Sequence, residues 1–166
     1  LAHHTLALAG SAGASVGTYP RRGLYFTGGF VDLEASQLLD AFETGIHQGS
    51  FVLRGYEPAQ FIGTHFNLLN AEYRFPILYA DRGVGTLPVF LRGVSGAVFA
   101  DYGGAFNQVD LDDPFAEYHM GVGGELWFDI ILGYFARGNV RVGYARGLDD
   151  EAISGGQTYL VVSSAF

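Results

Sequence analysis

The chain has 166 residues, a formal net charge of −8 and no cysteine, which excludes disulfides, thiolate metal ligands and a cysteine nucleophile. Its length suits one domain, and its acidic balance argues against nucleic-acid binding, which needs a basic surface. With 25 glycines, 14 phenylalanines, 10 tyrosines and only 16% charged residues, the composition favours a β-protein with a lipid-facing surface over a disordered chain or a helical bundle.

The first predicted element is a strand from about Thr5 to Val16, in which Leu6, Leu8 and Val16 share one face. The residues before it, Leu1-Ala2-His3-His4, lack both an initiator methionine and the basic region of a signal peptide. We therefore expect the chain to be the interior and end of a longer protein.

A long connection is predicted from residue 17 to residue 63. It contains Phe26-Thr27-Gly28-Gly29-Phe30, a short amphipathic helix predicted within residues 32–43, and the segment Leu53-Arg54-Gly55-Tyr56. In a soluble protein, an arginine on a glycine turn is usually exposed and has no partner. Inside a membrane barrel it is a buried cation that needs a partner, and it then indicates function.

The rest of the chain alternates with a period of two residues, which is typical of strands. Between His119 and Phe135, one parity is almost entirely apolar, whereas the other mixes small, charged and aromatic residues that include Glu125 and Trp127. An apolar face over more than the roughly 9 to 11 residues that span a bilayer is typical of a membrane barrel. Further strands are predicted at Leu69–Phe75, Val94–Tyr102, Val140–Ala145 and Thr158–Phe166.

About six strands result, joined alternately by short and long connections. A tight turn is predicted at Ala136-Arg137-Gly138-Asn139 and a compact one from Asp81 to Pro88, whereas residues 17–63, 104–118 and 147–157 are longer. This alternation is typical of bacterial outer-membrane barrels, which begin at about eight strands. Six strands cannot close a barrel, so the missing strands belong either to an upstream part of the polypeptide or to further copies of the chain.

These landmarks, in this order, resemble the C-terminal barrel of the BamA/TamA-type outer-membrane insertases, the bacterial surface antigen family. Phe26-Thr27-Gly28-Gly29-Phe30 resembles the segment that opens the family's long sixth extracellular loop, and Leu53-Arg54-Gly55-Tyr56 resembles the tip of that loop. Glu72-Tyr73-Arg74-Phe75-Pro76 and Phe99-Ala100-Asp101-Tyr102-Gly103 resemble the two strands that follow, and Phe166 is a terminal aromatic residue. The resemblance extends from about Thr5 to the end of the chain.

The resemblance implies an all-β fold, an antiparallel transmembrane barrel of roughly sixteen strands, of which residues 1–166 supply the last six. The long extracellular loop at 17–63, whose start motif contains Gly28 and Gly29, would fold into the barrel. Parity independently places Glu72 and Asp101 on polar strand faces, where a guanidinium can form two parallel hydrogen bonds with a carboxylate. The expected loop–strand cluster is Arg54, Gly55, Tyr56, Glu72 and Asp101.

The end of the chain resembles the signal that directs barrels to their assembly machinery. The expected signal residues are Tyr159, Leu160, Val162 and Phe166. By the same resemblance, the expected partners are outer-membrane lipid and lipopolysaccharide, the N-terminal part of the same barrel, the outer-membrane assembly machinery and client β-barrel proteins.

No catalytic constellation, metal site or cofactor is expected, because Gly93-Val94-Ser95-Gly96 lacks the spacing of a nucleophile elbow and the histidines are scattered. The expected function is a non-enzymatic outer-membrane barrel that assists insertion or translocation of other proteins. Two alternatives remain: a barrel that anchors or exports an upstream domain such as a propeller or a hydrolase, and a soluble β-sandwich that binds a partner.

Overall fold

The computed structural model describes residues 3–17, 23–30, 52–83, 85–107, 117–133 and 135–165, and these residues form an all-β structure. Within these ranges no helix has the length and apolarity that a membrane-spanning helix requires. The strands are β1 (Thr5–Ala14), β2 (Tyr25–Thr27), β3 (Phe61–Gly63), β4 (His65–Gly83), β5 (Val89–Phe106), β6 (His119–Leu132), β7 (Ala136–Gly147) and β8 (Gln157–Ala165).

Six of these strands form one antiparallel sheet in the order β1-β4-β5-β6-β7-β8. The prediction of an antiparallel all-β fold with about six strands is confirmed. Among the described residues, β1 and β8 are the two edges of an open sheet. The short strands β2 and β3 pair with each other, so the described ends of the long connection at 17–63 meet as a small separate sheet.

The tight turn predicted at Ala136-Arg137-Gly138-Asn139 is wrong. These residues begin β7, where Ala136 pairs with Leu132 and Asn139 pairs with Asp129. The chain reverses immediately before them, at Gly133, whose φ of +58° favours glycine. The side chain of Asn139 donates a hydrogen bond of 2.7 Å to Asp129, which favours strand pairing at this position.

The helix predicted within 32–43 and the terminal Phe166 lie outside the described residues.

One face of the six-stranded sheet is apolar and exposed. Each strand contributes at least one large apolar side chain that is between 45% and 71% exposed. Because residues paired across antiparallel strands point to the same side, these side chains form one continuous surface. Representative members, one from each strand in sheet order, are Leu8, Leu69, Val98, Leu126, Val142 and Leu160.

The opposite face of the sheet is covered in part by the described parts of the 17–63 connection. Leu53, Tyr56 and Phe61 from this connection pack against Phe66 and Leu68 of β4 in the largest buried apolar cluster. The buried charged residues of β4, β5 and β6 lie on the same covered face. We call it the covered face below.

Aromatic rings of the sheet repeatedly lie over glycines of the neighbouring strand. In each case the ring and the glycine are direct cross-strand partners, and a Cβ on the glycine would meet the ring. A glycine thus provides the space for a large side chain, which shields the backbone in return. The four pairs are Phe66 over Gly13, Phe75 over Gly96, Phe99 over Gly123 and Tyr159 over Gly143.

We predict that Gly143→Ala destabilises the sheet by about 1–3 kcal/mol, the usual cost of inserting a methyl group into a close-packed site. A Cβ at this position would overlap the ring of the buried Tyr159. Thermal unfolding followed on a gel that separates folded from unfolded protein measures the effect. The matched control is Gly10→Ala in β1, where the nearest atom, of Leu69, is 3.7 Å away; equal losses in the two variants would contradict the prediction.

Candidate functional site

The segment Leu53-Arg54-Gly55-Tyr56 lies on the covered face, with Leu53 and Tyr56 fully buried and Arg54 only 7% exposed. Gly55 makes this path possible. Its φ of +98° disfavours other residues, and a Cβ there would meet the backbone of Arg146 and Gly147 at the end of β7. The carbonyl group of Arg54 in turn lies against Gly121, where a side chain would leave it no space.

Gly28 and Gly29 lie directly against the backbone of this turn. The amide of Leu53 donates to the carbonyl oxygen of Gly28 at 2.7 Å, and the amide of Gly29 donates to that of Glu57 at 3.0 Å. A Cβ on either glycine would meet backbone atoms of residues 56–60. The two motifs that the sequence separates by more than twenty residues are therefore one unit of structure, and the glycines allow their close approach.

Arg54 and Asp101 form the central ion pair of the site. Nε of Arg54 donates to Oδ2 of Asp101 at 2.6 Å, and Nη2 donates to Oδ1 at 2.7 Å. The backbone amide of Arg54 also donates to Oδ2, at 3.2 Å, while the side-chain amide of Asn70 donates to Oδ1 at 2.8 Å. Asp101 thus fixes both the side chain and the backbone of the loop tip.

Two further carboxylates complete the surroundings of Arg54. Nη1 donates to Oε1 of Glu125 at 2.9 Å and lies 3.5 Å from Oε2 of Glu72. The guanidinium carbon is 3.3 Å from the ring centroid of Phe99, so a cation–π contact covers one side of the group. Burial alone would lower the pKa of Arg54, but the hydrogen bonds and charge of Asp101, with Glu125, raise it above its ordinary value.

The structure places Arg54, Glu72 and Asp101 together, as the sequence led us to expect, and adds Glu125. The three carboxylates come from three successive strands of the sheet, β4, β5 and β6. Sequence reasoning placed Glu125 on the polar parity of its strand but did not assign it to the cluster. Its position could have been found from the register, because Glu125 pairs with Ala97, which lies four residues before Asp101 on the same face of β5.

We call Arg54 and its three carboxylates, Glu72, Asp101 and Glu125, the Arg54 cluster. A second layer beside it consists of Arg74, Trp127 and Arg141. The guanidinium carbons of Arg74 and Arg141 lie 4.3 and 4.9 Å from the ring centroid of Trp127. Arg74 forms an ion pair with Glu72, and Nη1 of Arg141 lies 3.9 Å from Oε2 of Glu125. With Arg54, the two layers together hold three arginines and three carboxylates, so their formal charges balance.

A third group holds Tyr56 on the other side of Arg54. The Tyr56 hydroxyl lies 2.9 Å from the carbonyl oxygen of Met120 and 2.7 Å from Oδ2 of Asp149. Nδ1 of His119 lies 2.9 Å from the same Asp149 oxygen, and its ring stacks on Phe61 at 3.9 Å between centroids. The connection between β7 and β8 thus covers the loop tip.

The hydrogen bonds of this third group change two pKa values. Burial raises the pKa of Tyr56, and the hydrogen bond to the Asp149 carboxylate raises it further. Partial burial by itself would raise the pKa of Asp149, but the hydrogen bonds from Tyr56 and His119 lower it below its ordinary value of 3.8. Asp149 therefore remains an acceptor over the whole neutral and mildly acidic range.

The expected C-terminal signal residues divide between the two faces of β8. Tyr159 is buried on the covered face and donates to Oε1 of Glu125 at 2.6 Å. Leu160 is exposed on the apolar face, and Val162, two residues further, shares its parity. The structure therefore gives Tyr159 a contact with the Arg54 cluster that sequence reasoning did not assign to it, while Phe166 lies outside the described residues.

The site positions a loop by charge pairing. The carboxylates of Asp101 and Glu125 are occupied by donors from Arg54, Asn70, Trp127 and Tyr159. In the part of the chain that the structure describes, no group of three or more histidines and carboxylates could hold a metal ion. Such an arrangement can hold the loop in one orientation against the sheet by ion pairs and hydrogen bonds.

A scan against protein-family models, a search of curated proteins and a search of solved structures each found no match to this chain.

Arg54→Ala should destabilise the folded protein by about 3–5 kcal/mol, because it leaves buried carboxylates without their cation. A gel on which the folded protein migrates faster than the boiled protein measures this. We expect the fast-migrating species to be less abundant and to convert at a lower temperature. Arg82→Ala, which changes an exposed arginine near the end of β4, is the matched control. Full abundance and unchanged thermal resistance in Arg54→Ala would show that the cluster does not stabilise the protein.

The stabilisation that Asp149 provides through its contact with Tyr56 should be lost at low pH. A carboxyl with a lowered folded-state pKa stabilises the fold above its unfolded value, here 3.8, and this contribution is lost as the pH falls through the lower folded-state pKa. Asp149→Asn should thus speed hydrogen exchange in residues 148–156 relative to the unsubstituted protein at about pH 5, and the difference should become smaller as the pH falls below 3.8. A difference that stays the same as the pH falls would contradict this assignment.

Proposed function

We propose that this chain is the C-terminal part of an outer-membrane β-barrel of the insertase superfamily, in which the Arg54 segment is a loop folded inside the barrel. The barrel assists insertion or translocation of other outer-membrane or secreted proteins. The observation that carries the proposal is the binding of Arg54 by carboxylates of three neighbouring strands on a covered sheet face, with a continuous apolar surface on the opposite face.

The exposed apolar face supports a membrane location. In water, large side chains such as Leu8, Leu69 and Leu160 would form a contiguous apolar patch across all six strands, which soluble monomers rarely expose. In a bilayer, the same surface faces lipid chains and needs no partner. The polar face, by contrast, carries charges that lipid could not solvate, and these are neutralised by one another.

The open edges of the sheet support membership in a larger barrel. Among the described residues, β1 and β8 each have one side without a strand partner. In lipid, the backbone groups on such an edge would be unsatisfied at several kcal/mol each, so the sheet needs further strands to close. The seam at which the barrel closes would lie beside β8. When this seam opens, it exposes a strand edge with which a client strand can pair.

The Arg54 segment suits a barrel that opens in this way. A barrel with a separable seam loses part of its hydrogen-bond network when it opens, and the remaining strands need another constraint. Arg54 contacts side chains of β4, β5 and β6 at once, so it holds three strands in register independently of the seam.

Reconstitution tests the proposal. The full-length protein in phospholipid vesicles should shorten the time in which an unfolded β-barrel client becomes heat-resistant, relative to empty vesicles and to vesicles with a barrel of no insertase activity. Arg54→Ala should reduce this acceleration, whereas Arg82→Ala should leave it unchanged. Correct membrane insertion without any acceleration would contradict the insertase activity and favour the alternative, a barrel that anchors or exports an upstream domain. Failure to partition into membranes would contradict the barrel itself.

A further inference from the structure

Tyr159 is the residue of β8 on which both described loop segments converge. Its hydroxyl donates at 2.6 Å to Oε1 of Glu125, the same oxygen that accepts from Nη1 of Arg54 at 2.9 Å. Phe30, which directly follows Gly28 and Gly29, packs on the Tyr159 ring with 4.6 Å between centroids. The contacts of the loop thus extend past the three carboxylate-bearing strands to the edge of the sheet.

At this edge of the sheet, β8 is the strand with the fewest hydrogen-bond partners. Within the described residues it pairs with β7 alone, from Gln157 to Ala165. Edge strands exchange and open more readily than central strands, because they have hydrogen-bond partners on one side only. A buried side chain that is hydrogen-bonded to the interior of the site, as Tyr159 is, therefore has a large influence on the order of this strand.

Glu125 occupies the position between Arg54 and Tyr159. Its Oε1 accepts from both of them, and its Oε2 accepts from Nε1 of Trp127 at 2.6 Å. Without Arg54, the buried carboxylate would retain Arg141 as its remaining cation, 3.9 Å away on the side of Oε2. A carboxylate drawn towards Arg141 moves Oε1 away from the Tyr159 hydroxyl, and a buried hydroxyl without an acceptor is costly.

We propose that Glu125 and Tyr159 are positioning residues that couple the binding of the Arg54 loop to the order of the edge strand β8. With the loop bound, Glu125 presents a fixed acceptor to Tyr159 and β8 is held against β7. With the loop released, Tyr159 loses that acceptor and β8 loosens. A role of this coupling in client insertion rests on the proposed function, in which β8 forms one side of the seam. The coupling between the loop and β8 does not depend on that function.

Hydrogen exchange of the full chain in Arg54→Ala, Tyr159→Phe and the double variant tests the coupling. Tyr159→Phe removes only the hydroxyl and keeps the ring over Gly143. Because one hydrogen bond to a charged group is lost, each single variant should speed exchange of the β8 amides that bond to β7 by about tenfold or more. Tyr159→Phe should also speed exchange in residues 52–57. The double variant should be no faster than the faster single variant, because both remove the same link.

Tyr144→Phe is the matched control, since it removes a tyrosine hydroxyl from β7 that donates to the carbonyl oxygen of Gly155, away from the cluster. It should leave exchange in residues 52–57 unchanged. If Arg54→Ala frees the loop residues while β8 exchanges as in the unsubstituted protein, the coupling is wrong. If the effects of the two substitutions multiply in the double variant, Tyr159 acts independently of the loop and the coupling is also wrong.

Fluorescence of Trp127, the single tryptophan of the chain, is a second and independent measurement. Its indole NH donates to Glu125, so its emission reports on the surroundings of that carboxylate. Arg54→Ala and Tyr159→Phe should change the emission in the same direction, and Tyr144→Phe should not. A change in Arg54→Ala alone would overturn the proposal. These measurements need no client, so their outcome is independent of the vesicle assay and of the insertase activity.

Discussion

The burial of one guanidinium is the constraint on which the rest of this structure depends. A buried cation is costly unless its charge is matched and its donors are satisfied. Arg54 is matched by a two-point contact with Asp101, a hydrogen bond to Glu125 and a longer ion pair with Glu72. Because these carboxylates lie on three adjacent strands, the position of the loop and the register of the strands determine each other.

Glycine provides the space that this arrangement needs. The loop tip approaches the sheet so closely that backbone lies on backbone, with the carbonyl group of Arg54 against Gly121 and Gly55 against the end of β7. Gly28 and Gly29 allow the second loop segment to lie against the first in the same way. Within the sheet, glycines opposite aromatic residues allow rings to lie flat across a strand. At these positions, glycine serves close packing of the backbone.

The two faces of the sheet have opposite solvation requirements, and together they limit where the protein can be stable. The apolar face is satisfied by lipid or by another apolar surface, whereas the covered face is satisfied internally by paired charges. Trp127, between Arg74 and Arg141, continues this internal pairing beyond the Arg54 cluster. Tyr56, His119 and Asp149 continue it on the other side, where the β7–β8 connection covers the loop.

Much of this arrangement could be predicted from the sequence. The alternation of apolar and polar residues shows on which face of its strand each side chain lies. A period of two residues assigns Glu72 and Asp101 to the polar face, and it also identifies the six strands. The limits of that reasoning have physical causes. Glu125 belongs to the cluster through cross-strand register, which alternation within one strand does not contain. The register also shifts between Pro76 and Leu78 and between Leu91 and Gly93, so parity does not hold along the whole of β4 and β5.

The turn before β7 was misplaced for a similar reason. Both Gly133 and Gly138 can end a strand, and composition does not distinguish them. The pairing of Asn139 with Asp129 decides in favour of Gly133, and this is a contact between two strands. The role of Tyr159 could not be predicted from its own strand either, because the partner that fixes it, Glu125, lies 34 residues earlier.

A double-mutant cycle on Arg54 and Asp101 tests the central claim most directly. The free energy of unfolding would be measured for Arg54→Ala, Asp101→Ala and the double variant under identical conditions. If the two side chains form the buried pair described above, the double variant should lose much less than the sum of the single losses, with a coupling energy of about 2–3 kcal/mol. Strictly additive losses would contradict the account, because the loop would then be held by contacts other than its charge pairing with the sheet.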